Sequence, residues 1–306
     1  MNDGCKLGTR GSPLAMAQAR LAAAALESAH GWAQGTVEIV TITTSGDRIQ
    51  DRPLADIGGK ALWTKELDRA LIAGETDFSV HSLKDVESVR PGAIRIAAVL
   101  ERADPRDRII GAEAIEALRQ GAVVGTSSPR RQAQLLSLRP DLKIVPLRGN
   151  VGTRLAKLEA GEVDAIILAA AGLDRLGMGD IGTAIPAEKM LPAPTQAAIA
   201  IECRAEDQAT AALLKRIDHG ESHDAVRAER AFTAALGGTC HSPIAALATI
   251  EGKEVRMRVQ ILAEDGSEAL ADEAVFALDD DEAPRRLAGA LLDRAPHAIR
   301  NLFGAA

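Results

Sequence analysis

Lysine is scarce in this 306-residue chain: nine of its 36 basic residues are lysine and the other 27 are arginine. Cysteine is rarer. Cys5, Cys203 and Cys240 are widely separated, odd in number and without metal-ligand spacing, a pattern of a reducing compartment that excludes a disulfide framework. No apolar run is long enough to span a bilayer, and no basic stretch followed by an apolar one opens the chain, so a cytoplasmic location without membrane contact is expected. Excess positive charge is also lacking. The net charge of −7 argues against a general nucleic-acid binder. No long apolar surface helix suggests a partner chain, and a monomer is expected. What is present is ordinary for a globular protein: 46% apolar residues, 26% charged residues, and enough length for two or three domains.

Strand and helix patterns alternate through most of the chain. Residues 5–9 read as a strand, and Ser12-Pro13 starts a helix reaching about Ser28. A strand over 36–42 precedes a polar loop over 43–60, longer than most connections and so functional or mobile in character. A helix over 61–73 and strands at Phe78–His81 and 94–100 come next. Val123–Gly125 then runs into a second Ser-Pro helix start at Ser128-Pro129. The two starts share Gly-Thr, Ser-Pro and an Ala-Gln pair (Ala17-Gln18, Ala133-Gln134), the mark of two similar α/β units. A strand over 143–147, a helix over 151–160 and a strand over 164–170 continue the pattern. Pro186, Pro192 and Pro194 punctuate a linker before a strand over 197–203. From about 219 the order changes to a helix, strands over 245–251, 254–262 and 270–277, and a final helix over 281–302. That change indicates a small α+β domain.

One stretch stands out, Val80-His81-Ser82-Leu83-Lys84-Asp85-Val86, where an ammonium and a carboxylate stand together at the end of a strand. In open α/β sheets ligands bind beyond the carboxyl ends of strands. The plain alternative is an ordinary surface Lys-Asp pair. Ser128, Arg130 and Arg131 combine free backbone N–H groups, a helix dipole and two guanidinium groups, which is an anion site by construction. Arg10, Arg148, Arg154 and Arg175 occupy comparable strand-end or helix-start positions. Together they would hold several carboxylates or phosphates, each pair contributing from about 1 kcal/mol in water to about 4 in a shielded cleft. Cys240 lies in a Gly-Gly-Thr-Cys-His-Ser-Pro turn, where a nucleophile or a covalent attachment point is the functional reading and a small buried hydrophobe the plain one.

Seven segments in order resemble the porphobilinogen deaminase (hydroxymethylbilane synthase) family. They are Thr9-Arg10-x-Ser12-Pro13-Leu14-Ala15, Gly58-Gly59-Lys60, Val80 to Val86, Glu101-Arg102-x-Asp104-Pro105-Arg106-Asp107, Val124-Gly125-Thr126-Ser127-Ser128-x-Arg130-Arg131, Leu147-Arg148-Gly149-Asn150-Val151-x-Thr153-Arg154-Leu155, and Cys240-x-x-Pro243-Ile244. The resemblance implies an α/β fold of two type II periplasmic-binding-protein-like lobes plus a small α+β C-terminal domain. The boundaries expected are 1–98 with 195–217, then 99–194, then 218–306, with the active site between the lobes. It also implies that Cys240 holds a dipyrromethane cofactor through a thioether and that four porphobilinogen molecules are joined head to tail with release of ammonia. No metal is called for.

On this reading Arg10, Arg130, Arg131, Arg148, Arg154 and Arg175 would hold the acetates and propionates, aided by Ser12, Lys84, Thr126 and Ser128. Asp85 would accept the pyrrole N–H bonds and stabilise the cation left as ammonia departs. Gln18, Lys60, Trp63, Ser82 and Gln196 complete the candidates, with Lys60 on a covering loop. The chain departs from the family pattern in places. Pro129 stands where Leu is usual, Ala61 and Trp63 follow Gly58-Gly59-Lys60, and Thr195 and Ala197 replace two glycines around Gln196. A two-lobed anion-binding protein without catalysis is the rival reading; it would need neither Cys240 nor Asp85.

Overall fold

The structure, a computed structural model, describes residues 4–43, 64–239 and 241–303. Lys60, Trp63 and Cys240 lie outside the described residues, as does nearly all of the 43–60 loop. The chain divides into two compact units, Met1–Ala103 with Ala197–His223, and Asp104–Gln196 with Asp224–Ala306.

The first unit is built on β1 (Lys6–Arg10), α1 (Pro13–His30), β2 (Glu38–Ile42), α2 (Lys65–Ile72), β3 (Phe78–Ser82) and β4 (Ile94–Val99). β1 lies between β2 and β3, parallel to both. The second unit repeats the design with β5 (Asp107–Ile110), β6 (Val123–Gly125), α3 (Pro129–Leu138), β7 (Lys143–Val145), α4 (Val151–Glu159), β8 (Ala165–Ala169), α5 (Ala170–Arg175) and β9 (Thr183–Ala184). The chain then returns to the first unit with β10 (Ile199–Arg204) and α6 (Gln208–Leu214).

The sheet orders, β2-β1-β3-β10-β4 and β7-β6-β8-β5-β9, correspond strand for strand. In each, three parallel strands are followed by one antiparallel strand from a distant part of the chain, β10 in one and β5 in the other. The paired Ser-Pro helix starts are therefore the visible part of a structural repeat. α7 (Gly220–Ala235) leads to an antiparallel sheet of β11 (Ile244–Glu251), β12 (Glu254–Leu262) and β13 (Ala269–Ala277), followed by α8 (Ala283–Asp293) and α9 (His297–Arg300). Phe232, Met257, Val259, Ile261, Leu291 and Ile299 form a separate core there. The fold is thus two α/β lobes with a small α+β portion at the C-terminus.

Burial follows the strand period. Phe78 and Val80 of β3 and Ile199, Ile201 and Cys203 of β10 join Leu7 in a core closed by Ala19, Ala22 and Leu26 of α1. Ser79, His81 and Glu202 therefore point to the opposite face, because alternate residues of a strand project to opposite sides. The sequence reading missed four short elements, β5, α5, β9 and α6, and it expected one continuous helix over 281–302. That helix breaks between Asp293 and His297, where Pro296 has no N–H to continue the ladder.

Thr195 and Ala197, the two replacements for glycine, have φ of 61° and 72° and are the only non-glycine residues of positive φ among the described residues. Glu229, fully buried, accepts the Thr195 backbone N–H with one oxygen and that of Ala248 with the other, which fixes this turn against β11. A left-handed conformation costs an L-residue about 1–2 kcal/mol. Ala197→Gly is expected to stabilise the protein by about 1 kcal/mol in urea denaturation, against the usual sign for a buried alanine. A loss of stability would show that the turn is not strained.

Candidate active site

Asp85 closes a single 3-10 turn, Leu83–Asp85, placed directly after β3. The Leu83 N–H donates to the Ala198 carbonyl (3.1 Å) and the Val86 N–H to the Leu83 carbonyl (3.1 Å), so the turn is anchored to the neighbouring chain before β10. A pocket here is lined by Arg10, Ser12, Gln18, Thr64, His81, Ser82 and Asp85. Ser82 Oγ lies 2.8 Å from Gln18 Nε2 and 3.1 Å from its Oε1, which ties the end of β3 to buried Gln18 on α1. Ser12 caps α1 by accepting the Ala15 N–H (3.3 Å), with Pro13 in the first turn and no acidic residue there. The helix start therefore keeps its positive end toward the pocket. Lys84 is half-buried on the same turn as Asp85.

The second unit has an equivalent start. Ser128 caps α3 through the Arg131 N–H (3.4 Å), and the Thr126 Oγ1 accepts the Ser128 N–H (3.2 Å). Arg130 and Arg131 are 3% and 6% exposed, and both meet one carboxylate, that of fully buried Asp107 at the start of β5. Arg130 Nη2 is 2.8 Å from Oδ2 and Arg131 Nη2 2.7 Å from Oδ1. Gln196 Nε2 donates to the same Oδ1 (2.9 Å) and to the Pro105 carbonyl (2.7 Å). Gln134 Oε1 accepts from Arg130 (2.9 Å), while its Nε2 donates to Gln260 of β12 (2.8 Å). With two guanidinium groups on one carboxylate, the group carries a net positive charge. Burial pushes the pKa of Arg130 below its ordinary value, with Asp107 working against that shift. The Nε–H groups of Arg130 and Arg131 are buried without a hydrogen-bond partner among the described residues.

Arg148 precedes Asn150, which caps α4 through the Thr153 N–H (2.9 Å), again with no acidic residue in the first turn. Gly149 between them has φ of 111°, and a Cβ there would fall 2.7 Å from Thr153 Cγ2, so only glycine fits. Arg154 Nε donates back to the Gly149 carbonyl (2.9 Å). Arg175 ends α5, and burial lowers its pKa to about 10 against the pull of Asp174.

These observations test the fit of a polycarboxylate. A buried net-positive group with two unused N–H donors, and helix starts free of acidic residues, match a ligand bearing several acetate or propionate groups. The pocket at Asp85 matches a pyrrole N–H or a developing cation. Asp107 is the residue that sequence reasoning missed. It stood in a matched segment without a role, although two adjacent arginines at a buried helix start require a counter-charge.

The fold and the site together define a two-lobed α/β protein with arginine-rich helix starts and a pocket that sets the Asp85 carboxylate among Arg10, Ser12 and His81. Residues 5–212 match the family model described as "Porphobilinogen deaminase, dipyromethane cofactor binding domain", and residues 224–291 match "Porphobilinogen deaminase, C-terminal domain". The chain is 57% identical over 304 residues to the porphobilinogen deaminase of Sphingopyxis alaskensis, covering 97% of this chain and 96% of that one. It is 50% identical to that of Paracoccus denitrificans over 295 residues, covering 95% and 94%. The chain belongs to the porphobilinogen deaminase family. Among solved structures it resembles the VFT2 domain of Bordetella pertussis BvgS at 17% identity and a TM-score of 0.42, covering 71% of this chain and 87% of that one. A periplasmic substrate-binding protein from Coxiella burnetii gives the same identity and TM-score, covering 70% and 91%.

A second buried group lies beside the Asp85 pocket. Glu202, fully buried, has Oε2 3.3 Å from His81 Nε2, and Arg90 Nε is 2.8 Å from its Oε1. Burial favours its neutral form, but His81 and Arg90 outweigh this and hold the pKa down to about 2, from an ordinary 4.5. A depressed carboxylate contributes stability that is complete above its unfolded pKa and is lost as pH falls toward the folded one. Thermal unfolding measured between pH 5 and pH 2 should therefore fall more steeply for the wild type than for Glu202→Gln. Parallel acid limbs would show that Glu202 carries no charge in the fold.

Proposed function

We propose that this protein is a hydroxymethylbilane synthase of tetrapyrrole biosynthesis. It joins four porphobilinogen molecules head to tail on a dipyrromethane primer and then releases the linear product by hydrolysis. The full-length likeness to porphobilinogen deaminases carries the activity, and the pocket around Asp85 at the end of β3 supports the place of the chemistry within it. Cys240 is the attachment point through a thioether. The three-domain division with boundaries at 1–98 with 195–217, 99–194 and 218–306 belongs to the same reading, supported by the separate core of the C-terminal sheet. So does a monomer in the cytoplasm, the location being the part that the cysteine usage supports.

When bound, the dipyrromethane supplies the free pyrrole carbon to which the first porphobilinogen is joined. Asp85 accepts the pyrrole N–H and opposes the positive charge that develops on porphobilinogen as its C–N bond breaks and ammonia leaves. A fixed carboxylate aimed at developing positive charge is the counterpart of an oxyanion hole. Its Oδ atoms are also the base available for the proton released when the new carbon–carbon bond forms. Ser82, fixed by Gln18, shapes the same pocket. Arg10, Lys84, Ser12, Thr126, Ser128, Arg130, Arg131, Arg148, Arg154 and Arg175 hold the carboxylates of cofactor and growing chain, and Gln196 steadies Asp107. Lys60 belongs to the covering loop in this proposal.

The test is a direct assay with porphobilinogen. One ammonia should be released for each porphobilinogen consumed, and acid oxidation of the product should give a porphyrin absorbance. Tight binding of porphobilinogen with no ammonia released would favour a non-catalytic binding protein.

A further inference from the structure

Arg90 is buried on the side of the first sheet away from α1, and each of its three nitrogens meets a carboxylate. Nε and Nη2 take the two oxygens of Glu202 (2.8 Å each), Nη2 also takes Asp68 of α2 (2.5 Å), and Nη1 takes Glu87 (2.8 Å). Glu87 in turn accepts the Thr64 hydroxyl, 3.2 Å from both its oxygens, at the residue before α2. The side chain of Arg90 is 7% exposed and that of Glu202 is 0% exposed, so these bonds are shielded from water and act at low dielectric. Neither Arg90 nor its three carboxylates bind the substrate or the cofactor in the proposed reaction.

The position of Arg90 in the chain gives the group its meaning. The stretch from Leu83 to Arg90 carries Asp85 and is attached at both ends. At its start Leu83 bonds to Ala198, the residue before β10, and at its end Arg90 bonds to Glu202 within β10. Between these two anchors the turn bond from Val86 to Leu83 and the contacts of Glu87 with Arg90 and Thr64 help to hold it. A guanidinium can reach three carboxylates at once because its five donors are fixed in a plane; an ammonium is a single point of charge.

We infer that Arg90 is a positioning residue for the reaction: it sets where the Asp85 carboxylate stands by clamping the far end of the 83–90 segment onto β10 and α2. The inference rests on the reading of Asp85 as the carboxylate that opposes the developing cation. Arg90 touches no reacting atom; it acts through the backbone that carries Asp85.

The experiment uses the full-length protein carrying its cofactor. Arg90→Gln is expected to lower kcat roughly tenfold, about 1.4 kcal/mol in the barrier, with KM for porphobilinogen changed less than about twofold. Arg90→Lys should lose part of kcat, again with KM little changed. An Arg90→Gln protein with kcat unchanged would overturn the inference. If Arg90→Gln does not fold, Glu87→Gln carries the test, because it removes only the arm that reaches the 64–87 contact. Its kcat should fall about threefold, and an unchanged kcat would overturn the inference equally. Asp85→Asn measured alongside separates the two readings. An active Asp85→Asn removes the role of Asp85 itself, whereas an inactive one beside an unaffected Arg90→Gln removes the clamp alone.

Discussion

Asp85→Asn should keep the fold and lose nearly all turnover, with kcat reduced by at least about a hundredfold to a thousandfold, the scale of removing one preorganised electrostatic group from an active site. Asparagine retains the size of the side chain and an acceptor oxygen, so the turn bonds from Leu83 to Ala198 and from Val86 to Leu83, both made by backbone, are untouched. What is removed is the negative charge. In a pocket that also holds Arg10, with Lys84 on the same turn, that charge is the element suited to a cation rather than to an anion. Binding of the carboxylates should therefore survive, and KM for porphobilinogen should change little beside kcat. The split between kcat and KM, together with an unchanged melting temperature, is the measurement. A variant within about threefold of wild-type turnover would refute the role assigned to Asp85.

The second large effect is on stability. Asp107→Asn leaves Arg130 and Arg131, 3% and 6% exposed, side by side without their shared carboxylate. Removing one partner of a buried ion pair typically costs about 3–5 kcal/mol, because the charge left behind remains desolvated. Here two charges are left and they repel each other, so the upper end of that range is expected in urea denaturation. A companion variant separates fold from function. Asp107→Leu combined with Arg130→Met and Arg131→Met removes all the charges together, and apolar replacement of a buried ionic group is often neutral or stabilising. The triple variant should recover most of the lost stability and none of the activity. Recovered activity would show that the two arginines serve the fold and not the ligand.

Much of the fold was legible because strands and helices alternate with clear periodicity and two helix starts repeat the same residues. The repeat in sequence, Gly-Thr then Ser-Pro then Ala-Gln, became a strand-for-strand correspondence of two sheets. The elements that escaped were those without a period of their own. β5 has four residues and begins with Asp-Arg, and β9 has two. Such strands are specified by the neighbours they pair with, which lie dozens of residues away in the chain. The break at Pro296 was readable in principle, since proline carries its own signal, but the apolar pattern on either side masked it.

The site divides in the same way. Ser12, Ser128 and Asn150 are caps whose chemistry is local, and each accepts the backbone bond its residue type predicts. Thr195 and Ala197 were visible as departures from glycine, and their positive φ gives the physical reason glycine belongs there. Asp107, Glu202 and Arg90 were not legible as a set. Each looks like an ordinary charged residue until the fold removes it from water and supplies its partners. A buried counter-charge is a tertiary property, and no spacing in the sequence reports it.

The proposed reaction is built on a primer held by Cys240, and mass spectrometry of the intact protein tests this most directly. Protein made in a host that synthesises tetrapyrroles should exceed the mass of the bare chain by one dipyrromethane, the peptide containing Cys240 should carry that excess, and Ehrlich's reagent should colour the denatured protein. Cys240→Ser should have the mass of the bare chain and no turnover. A wild-type protein that consumes porphobilinogen at the mass of the bare chain, or a Cys240→Ser protein that still carries the adduct, would contradict the account.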